Sequence, residues 1–571
     1  MTDAEMLALY DREMRIEITY FDARREATPD VIRQISLNGP EGAILYTRCH
    51  PDRTPEVIQE QMAYFQSIGQ GCEWKVYAHD NRPDLSESLL AAGWRAALNR
   101  VELGLSPAGQ AFADTFRATQ AYILINADGS SIQPGSRTYE RSWIRDGALT
   151  STALLYTGHM DQVRAFLEWY SRYQYPGGKV PCVVDRRGPD PVPEHDSTGQ
   201  LIYALLKYYA FTGDRALLER YLPQVVAGVD YLEALRNQRL TPEFRDGPPE
   251  KRVLYGLVPE SISHEGYSAK PMHSYWDGFW TLRGLRDATT IAEILERPEL
   301  VARFSALRDA FRVSLYESIA LAMQLRGVDY LPGCAELGDF DATSTAIAVF
   351  PCGEGDVLPE PARTNTFDRY FNFFRDRRDG RLKWENYTPY EVRLMSAFLR
   401  LGQPERAHEL LDFFLADQSP PEWRQWGEIV WHDRTAGRFI GDLPHTWVGS
   451  DFLSAARSFF LYERESDDAL VLAAGVRPEW LAEPGVRLAH APTPYGPVSY
   501  TLVRRGATVE FALEGPPKMP AGGLVLALFA LGGGRLDSVE VNGAPHAEFD
   551  ARRILLRTTP ARVVAHIVPQ E

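Results

Sequence analysis

The sequence predicts a mainly α protein: an (α/α)6 toroid of twelve helices, preceded by a small N-terminal α/β module and followed by a C-terminal β-sandwich. Three observations carry this expectation. Residues 106–465 hold paired runs with apolar positions at three- and four-residue spacing, the pattern of amphipathic helices. The turns within pairs are short and bear glycine, whereas most connections between pairs are long. Residues 466–571 contain short β-rich runs punctuated by turn residues. A chain of 571 residues exceeds what one core usually supports, so the divisions expected are 1–105, 106–465 and 466–571.

In the first segment, strand-like runs at 15–21 and 43–47 alternate with a helical pattern over 55–69. The stretch Glu73-Trp74-Lys75-Val76-Tyr77-Ala78-His79-Asp80, followed by Asp84-Leu85 and Leu89-Leu90-Ala91-Ala92-Gly93-Trp94, resembles the N-terminal half of some acetyltransferases of the GNAT superfamily. Those proteins hold the pyrophosphate of acetyl-CoA on the backbone N–H groups of a glycine-containing loop that opens a helix. No R-x-x-G-x-G/A segment follows Gly93, so the resemblance implies a structural module here and not acetyl transfer.

The toroid expectation rests on six inner helices at 143–157, 195–212, 273–293, 342–350, 387–401 and 444–462. Outer helices begin near Ser106, Asp161, Asp214, Glu299, Arg363 and Pro404. Tight turns such as Thr157-Gly158-His159, Thr212-Gly213-Asp214 and Leu401-Gly402-Gln403-Pro404 pass each inner helix to its outer successor. The long connections, rich in Gly, Pro, Trp, Asp and Glu, then fall on one face, where binding groups are usually placed. A solenoid would show a fixed period with recurring residues, and these pairs share none. The β-rich runs expected after the toroid are 498–503, 508–513, 524–530, 538–541, 553–557 and 562–567.

A net charge of −16 disfavours nucleic acid and anionic membrane as partners. The cysteines Cys49, Cys72, Cys182, Cys334 and Cys352 are odd in number and unpaired in spacing, which points to reduced thiols and no metal site. Residues 1–20 are charged where a signal peptide needs an apolar run, and no run reaches ~18 apolar residues, so a cytoplasmic location is expected. Oligomeric state is left open.

The starts of the inner helices and the loops before them present carboxylates, aromatics and one Arg: Trp143, Arg145 and Asp146; Glu194, His195 and Asp196; Glu260, Glu265 and Asp277; Asp339 and Asp341; Trp384, Glu385 and Asn386; Trp426, Glu428, His432, Asp442, His445 and Trp447. Such a funnel suits a neutral polyol, whose hydroxyls need charged hydrogen-bond partners and whose ring faces need aromatic platforms. A phosphate ligand would require more cations.

Arg141-Ser142-Trp143-Ile144-Arg145-Asp146-Gly147-Ala148 is similar to the W-x-R-D-G-A-type segment of the glucoamylase family and its six-hairpin relatives. The resemblance implies that Arg145 and Asp146 hold substrate hydroxyls. Trp426-Gly427-Glu428, with Gly441-Asp442-Leu443-Pro444-His445-Thr446-Trp447 after it, looks like the glucoamylase and glycogen-debranching pattern. That likeness implies Glu428 as the general base that activates water. In glucoamylases the general acid lies in the loop before the third inner helix, here 258–267, which leaves Glu265, Glu260 and Asp277 as alternatives; Trp276-Asp277 resembles the Trp-Asp of trehalase-type enzymes. Glu194, His195, Asp196, Trp276, Asp341, His445 and Trp447 are further substrate-binding candidates. Pro492-Thr493-Pro494-Tyr495-Gly496-Pro497 looks like the start of the C-terminal β-domain of rhamnosidase-like six-hairpin enzymes.

Taken over, these resemblances imply a glycoside hydrolase, inverting and exo-acting on a glucoside-type oligosaccharide, with its two carboxyl groups roughly 6.5–9.5 Å apart. Two carboxyls supply both proton transfers, so no metal or organic cofactor is expected. The alternatives are a sugar phosphorylase on the same scaffold and a non-catalytic carbohydrate-binding protein.

Overall fold

The computed structural model describes residues 2–20, 23–37, 41–80, 82–92, 94, 100–435, 437–529, 531 and 533–569. Phe21, Gly93 and Ala530, which the sequence expectations included, lie outside the described residues. The chain divides into two compact units, 1–100 and 101–571.

In the first unit, strands β1 (Ala23–Ala27), β2 (Val31–Ser36), β3 (Glu41–Thr47) and β4 (Gly71–Trp74) form one sheet in that order. Pairing is antiparallel up to β3 and parallel between β3 and β4. Parallel neighbours need a crossover, and helix Thr54–Ser67 supplies it. Its Val57, Ile58 and Phe65 pack with Val31, Ile35 and Ile44 of the sheet. Of the strand expected at 15–21, the described residues 15–20 form no strand. Arg15 lies in the helical segment Asp11–Ile16, where its buried guanidinium donates to the Leu45 carbonyl at 2.9 Å and to Asp11 and Asp80. A buried charge must be paired, and that need overrides the apolar alternation of this stretch.

The second unit is mainly α with a β-rich C-terminal part. Its helices are α1 (Gln110–Asn126), α2 (Ile144–Tyr156), α3 (Met160–Tyr170), α4 (Ser197–Thr212), α5 (Arg215–Asn237), the short α6 (Pro242–Arg245) and α7 (Pro249–Arg252), α8 (Tyr275–Ile294), α9 (Pro298–Arg326), α10 (Ala342–Val349), α11 (Ala362–Arg378), α12 (Arg393–Arg400), α13 (Pro404–Ala416) and α14 (Thr446–Phe460). Six of them pack in sequence, α2 on α4, α4 on α8, α8 on α10, α10 on α12 and α12 on α14, and α14 returns onto α2. Every residue of α2 and of α14 is buried, as helices enclosed on all sides must be. The second set lies outside: α1 packs on α14, α3 on α2, α5 on α4, α9 on α8, α11 on α10 and α13 on α12. Helix α9 is amphipathic, burying Phe304, Leu307, Phe311, Leu315, Ile319 and Ala322 at three- and four-residue spacing.

Close approach of α4 and α8 depends on two glycines. A Cβ on Gly199 would meet the Trp280 carbonyl oxygen at 2.1 Å, and one on Gly284 would meet the Gly199 Cα at 2.6 Å. Short turns follow α4 and α12, closed by left-handed Gly213 and Gly402. The long connections lead into the N-terminal ends of the inner helices.

Two sheets follow. Leu461–Arg464, Ala469–Leu472, Leu524–Ala527 and Arg553–Leu556 form a four-stranded sheet in that order. A seven-stranded sheet runs Ala544–Pro545, Gly534–Val541, Ala561–Pro569, Thr508–Glu514, Val498–Arg505, Val486–Ala491, Glu102–Gly104. The inward residues Val509, Phe511 and Val563 of one sheet share a core with Leu524, Leu526 and Ile554 of the other. Two expected boundaries shift. Residues 102–104 join the C-terminal sheet beside Arg487, Leu488 and Ala489, and the strand that follows α14 begins at Leu461, before residue 466. Backbone pairing decides both, since an edge strand with unfilled hydrogen bonds accepts a neighbour from any part of the chain.

Candidate active site

The ends of the inner helices and their loops enclose a cavity of about 290 Å³. Of the residues singled out from sequence, Trp143, Arg145, Asp146, Glu265, Asp341, Glu428, His445 and Trp447 line it. They come from segments up to 304 positions apart, so a single cavity is a stringent outcome.

Glu428 lies in the loop before α14. Its backbone N–H donates to the Ile440 carbonyl at 3.0 Å, and its carboxylate accepts from the hydroxyls of Tyr139 and Tyr390, the latter at 3.3 Å. Burial raises its pKa, while the two phenols favour the ionised form and oppose the rise. Gly441, left-handed at φ 69°, faces this side chain. Asp442 next to it holds the Tyr139 segment, accepting from the backbone N–H groups of Thr138 and Tyr139 at 2.9 Å each.

Glu265 lies in the loop before α8 and accepts from Trp143 Nε1 at 3.2 Å. Its backbone is left-handed at φ 66°, as is that of Ser263 at φ 56°. Non-glycine residues in this region are uncommon and cluster at functional sites. His264, between them, stacks on Trp276 with ring centroids 4.7 Å apart and planes at 27°.

Arg145 and Asp146 open α2, both buried. The Arg145 guanidinium is paired with Glu194. Burial pushes the Asp146 carboxyl up to about 7, Arg145 opposing and Glu265 and Glu428 adding to the rise. Arg145 Nε, Asp146 Oδ1 and Trp447 Nε1 have no hydrogen-bond partner among the described residues. These three atoms are themselves buried, so they are unpaired within the wall behind the cavity surface. Asp341 caps α10 through the Ser344 N–H at 2.9 Å, and His445 caps α14.

The other sequence candidates lie outside the cavity lining, Trp276 and Asp442 among them. Glu260 is half-exposed and paired with Arg239, 3.5 Å from His273 Nε2. Glu194 lies behind Arg145, with its carboxyl pushed by burial up to about 8. Buried His195 is held down to about 4. Asp196 accepts from Trp276 Nε1 at 2.7 Å and from Gln200 Nε2 at 2.8 Å. Asp277 is fully enclosed and accepts from Ser261 and Ser263 at 2.6 and 2.8 Å; burial and Asp196 raise its pKa, while these two hydroxyls favour the ionised form and oppose the rise.

Sequence reasoning missed Tyr139, His264, Ser344, Tyr390 and Arg393, all of which line the cavity. Arg393 is buried and donates to Asp451 at 2.7 and 3.0 Å. A Tyr four residues before Trp143, and a Tyr and Arg three apart near the start of the fifth inner helix, were the available signals.

No family model and no curated protein matches this sequence. Several solved structures match the fold. The chain aligns with an α-L-rhamnosidase from Dictyoglumus thermophilum at 13% identity and a TM-score of 0.57, over 82% of this chain and 50% of that one. It aligns with a GH78 family rhamnosidase of Bacillus sp. GL1 at 14% identity and 0.55, over 76% and 43%. It also aligns with an α-L-rhamnosidase from Streptomyces avermitilis at 15% and 0.52, over 82% and 41%. The chain thus spans half or less of the length of these structures, and at such identity the likeness is one of fold.

Proposed function

We propose that the second unit is an (α/α)6-toroid glycoside hydrolase in which Glu265 acts as general acid and Glu428 as general base. The observation that carries this reading is that Glu265 and Glu428 line one cavity together with Trp143, Arg145, Asp146 and Trp447. In the step proposed, the Glu265 carboxyl protonates the glycosidic oxygen as its bond to the anomeric carbon breaks. Glu428 removes a proton from the water that forms the new C–O bond. The phenols of Tyr139 and Tyr390 hold Glu428 in its accepting form. Asp146 binds hydroxyls of the terminal sugar, and Trp447 and Trp143 offer apolar faces to the ring.

The cations of the cavity argue for water over phosphate as the nucleophile. Arg145 is committed to Glu194 and Arg393 to Asp451. Burial holds His264 down to about 4 and His445 to about 3, so both rings are neutral near pH 7. A phosphorylase would need free positive charge there.

For the sugar, the solved structures with this fold make a terminal α-L-rhamnosyl residue the first to test; the glucoside read from sequence is the alternative. Inverting, exo action is part of the proposal. Residues 1–100 are read as a structural module, 106–460 as the catalytic toroid, and 461–571 together with strand 102–104 as a supporting β-sandwich. The test is hydrolysis of 4-nitrophenyl α-L-rhamnoside and α-D-glucoside, with the product anomer followed by NMR. Glu428→Gln should abolish turnover while sugar binding persists. Undiminished hydrolysis by that variant would sink the assignment.

A further inference from the structure

The loop that carries Glu265 contains two side-chain-bearing residues in left-handed backbone conformation, Ser263 and Glu265, and something must hold them there. Ser261 Oγ donates to Asp277 Oδ2 at 2.6 Å and accepts from the Ser263 N–H at 2.7 Å. Ser263 Oγ donates to Asp277 Oδ1 at 2.8 Å. Asp277 sits in the first turn of α8, 0% exposed and outside the cavity lining. Both its oxygens are therefore engaged by the loop, from a rigid helix that cannot follow the loop's movement.

The same carboxylate sets a direction along a chain of hydrogen bonds. A hydroxyl has one hydrogen, and that of Ser263 is used on Asp277. Its contact with His264 Nδ1 at 3.1 Å then requires a hydrogen on Nδ1. Nε2 is left as the acceptor for the Ser344 hydroxyl at 2.9 Å. His264 is clamped further by its stacking on Trp276, the residue before Asp277. Its C-terminal neighbour is Glu265, whose other tether is Trp143 Nε1.

We propose that Asp277 is a positioning residue: its carboxylate anchors Ser261 and Ser263, and so fixes the backbone turn that presents Glu265, and the tautomer of His264, to the cavity. The proposal rests on the reading of Glu265 as general acid. It assigns Asp277 a part in the reaction exerted through another side chain and not through contact with the sugar.

A double-mutant cycle of Asp277→Asn and Glu265→Gln, assayed on methyl α-L-rhamnoside and methyl α-D-glucoside, whose alkoxide leaving groups need the proton of the acid, tests it. Asn keeps the shape but replaces one accepting oxygen with a donor. In the wild-type background kcat should fall roughly tenfold or more with KM little changed, the loss expected for a displaced acid. In the Glu265→Gln background the same substitution should cost less than about twofold, because the group it positions is already gone. Equal factors in both backgrounds, or full activity of Glu265→Gln with loss only in Asp277→Asn, would overturn the proposal.

Ser263→Ala removes one donor without touching Asp277 and should show the same non-additivity, which covers a poorly folded Asn variant. Hydrogen exchange of the full chain gives a substrate-free readout. Asp277→Asn should speed exchange in peptides covering 261–268 and leave α8 unchanged. Unaltered exchange in that loop refutes the anchoring, whereas absence of turnover by folded wild-type protein refutes the hydrolase reading instead.

Discussion

Gly441→Ala isolates the geometry around Glu428. Gly441 has φ 69°, a conformation that costs an L-residue roughly 1–2 kcal/mol. A Cβ there would lie 2.5 Å from Glu428 Oε2, 2.6 Å from Glu428 Cβ and 3.2 Å from Tyr139 Cε2. Carbon atoms rest best at about 3.5–4.0 Å, so the base must move by about 1 Å. Its backbone has little room to follow, since the N–H groups of Glu428 and Ile429 both donate to Ile440 O, at 3.0 and 3.2 Å. A displacement of about 1 Å costs on the order of 100-fold in rate. Gly437→Ala is the matched control: φ is 55° and nothing lies within 4 Å of the added carbon. Urea unfolding should show a similar backbone penalty in both variants, with the overlap adding to the loss in Gly441→Ala. Release of 4-nitrophenol should fall about 100-fold for Gly441→Ala alone. A kcat for Gly441→Ala within twofold of the control would refute the reasoning.

Three other outcomes are expected. Tyr139→Phe removes a donor that favours ionised Glu428, whose pKa burial already raises; the acidic limb of kcat/KM should move up by roughly one pH unit. Glu260→Gln should leave kcat and KM within about twofold of wild type, because Glu260 is half-exposed and paired with Arg239 outside the cavity; a large loss of kcat would restore it as a candidate acid. His445 is held by burial down to about 3, so the folded state resists a proton that the unfolded chain takes up near 6.5. Its contribution is intact above pH 6.5 and is lost as the pH falls toward 3, on the order of 3 kcal/mol by pH 4. Thermal unfolding across that window should therefore be less acid-sensitive in His445→Asn than in wild type, and an unchanged slope would count against a buried neutral ring.

The helical body and the β-rich C-terminal part were legible because periodicity and glycine-bearing turns are local signals. The burial of all of α2 and α14 against the one-sided pattern of α9 shows how directly solvent exposure writes itself into sequence. Arg145, Asp146 and Trp447 stood out because they sit at helix starts, and Glu428 because of the Trp426-Gly427-Glu428 motif in the loop before α14. Tyr139 and Tyr390 did not, since a tyrosine in a loop carries no mark of what its hydroxyl reaches across the fold. Glu260 and Glu265 are five residues apart in one loop, and only the left-handed turn at 263–265 decides which of them faces the cavity. Arg15 failed as a strand residue for a comparable reason: its partners Asp11 and Asp80 come together only in the folded unit.

Asp442 grips the backbone of residues 137–139 from positions 303 to 305 residues later in the chain, and helix α1 finds its partner in α14. A ribosome must therefore deliver nearly the whole helical run before Tyr139 can meet Glu428. Until then the opening helix has an unmatched apolar side, a state prone to association with other nascent chains. Fragments that stop short of residue 442 should accordingly be aggregation-prone and lack the pocket, however many of their helices have formed.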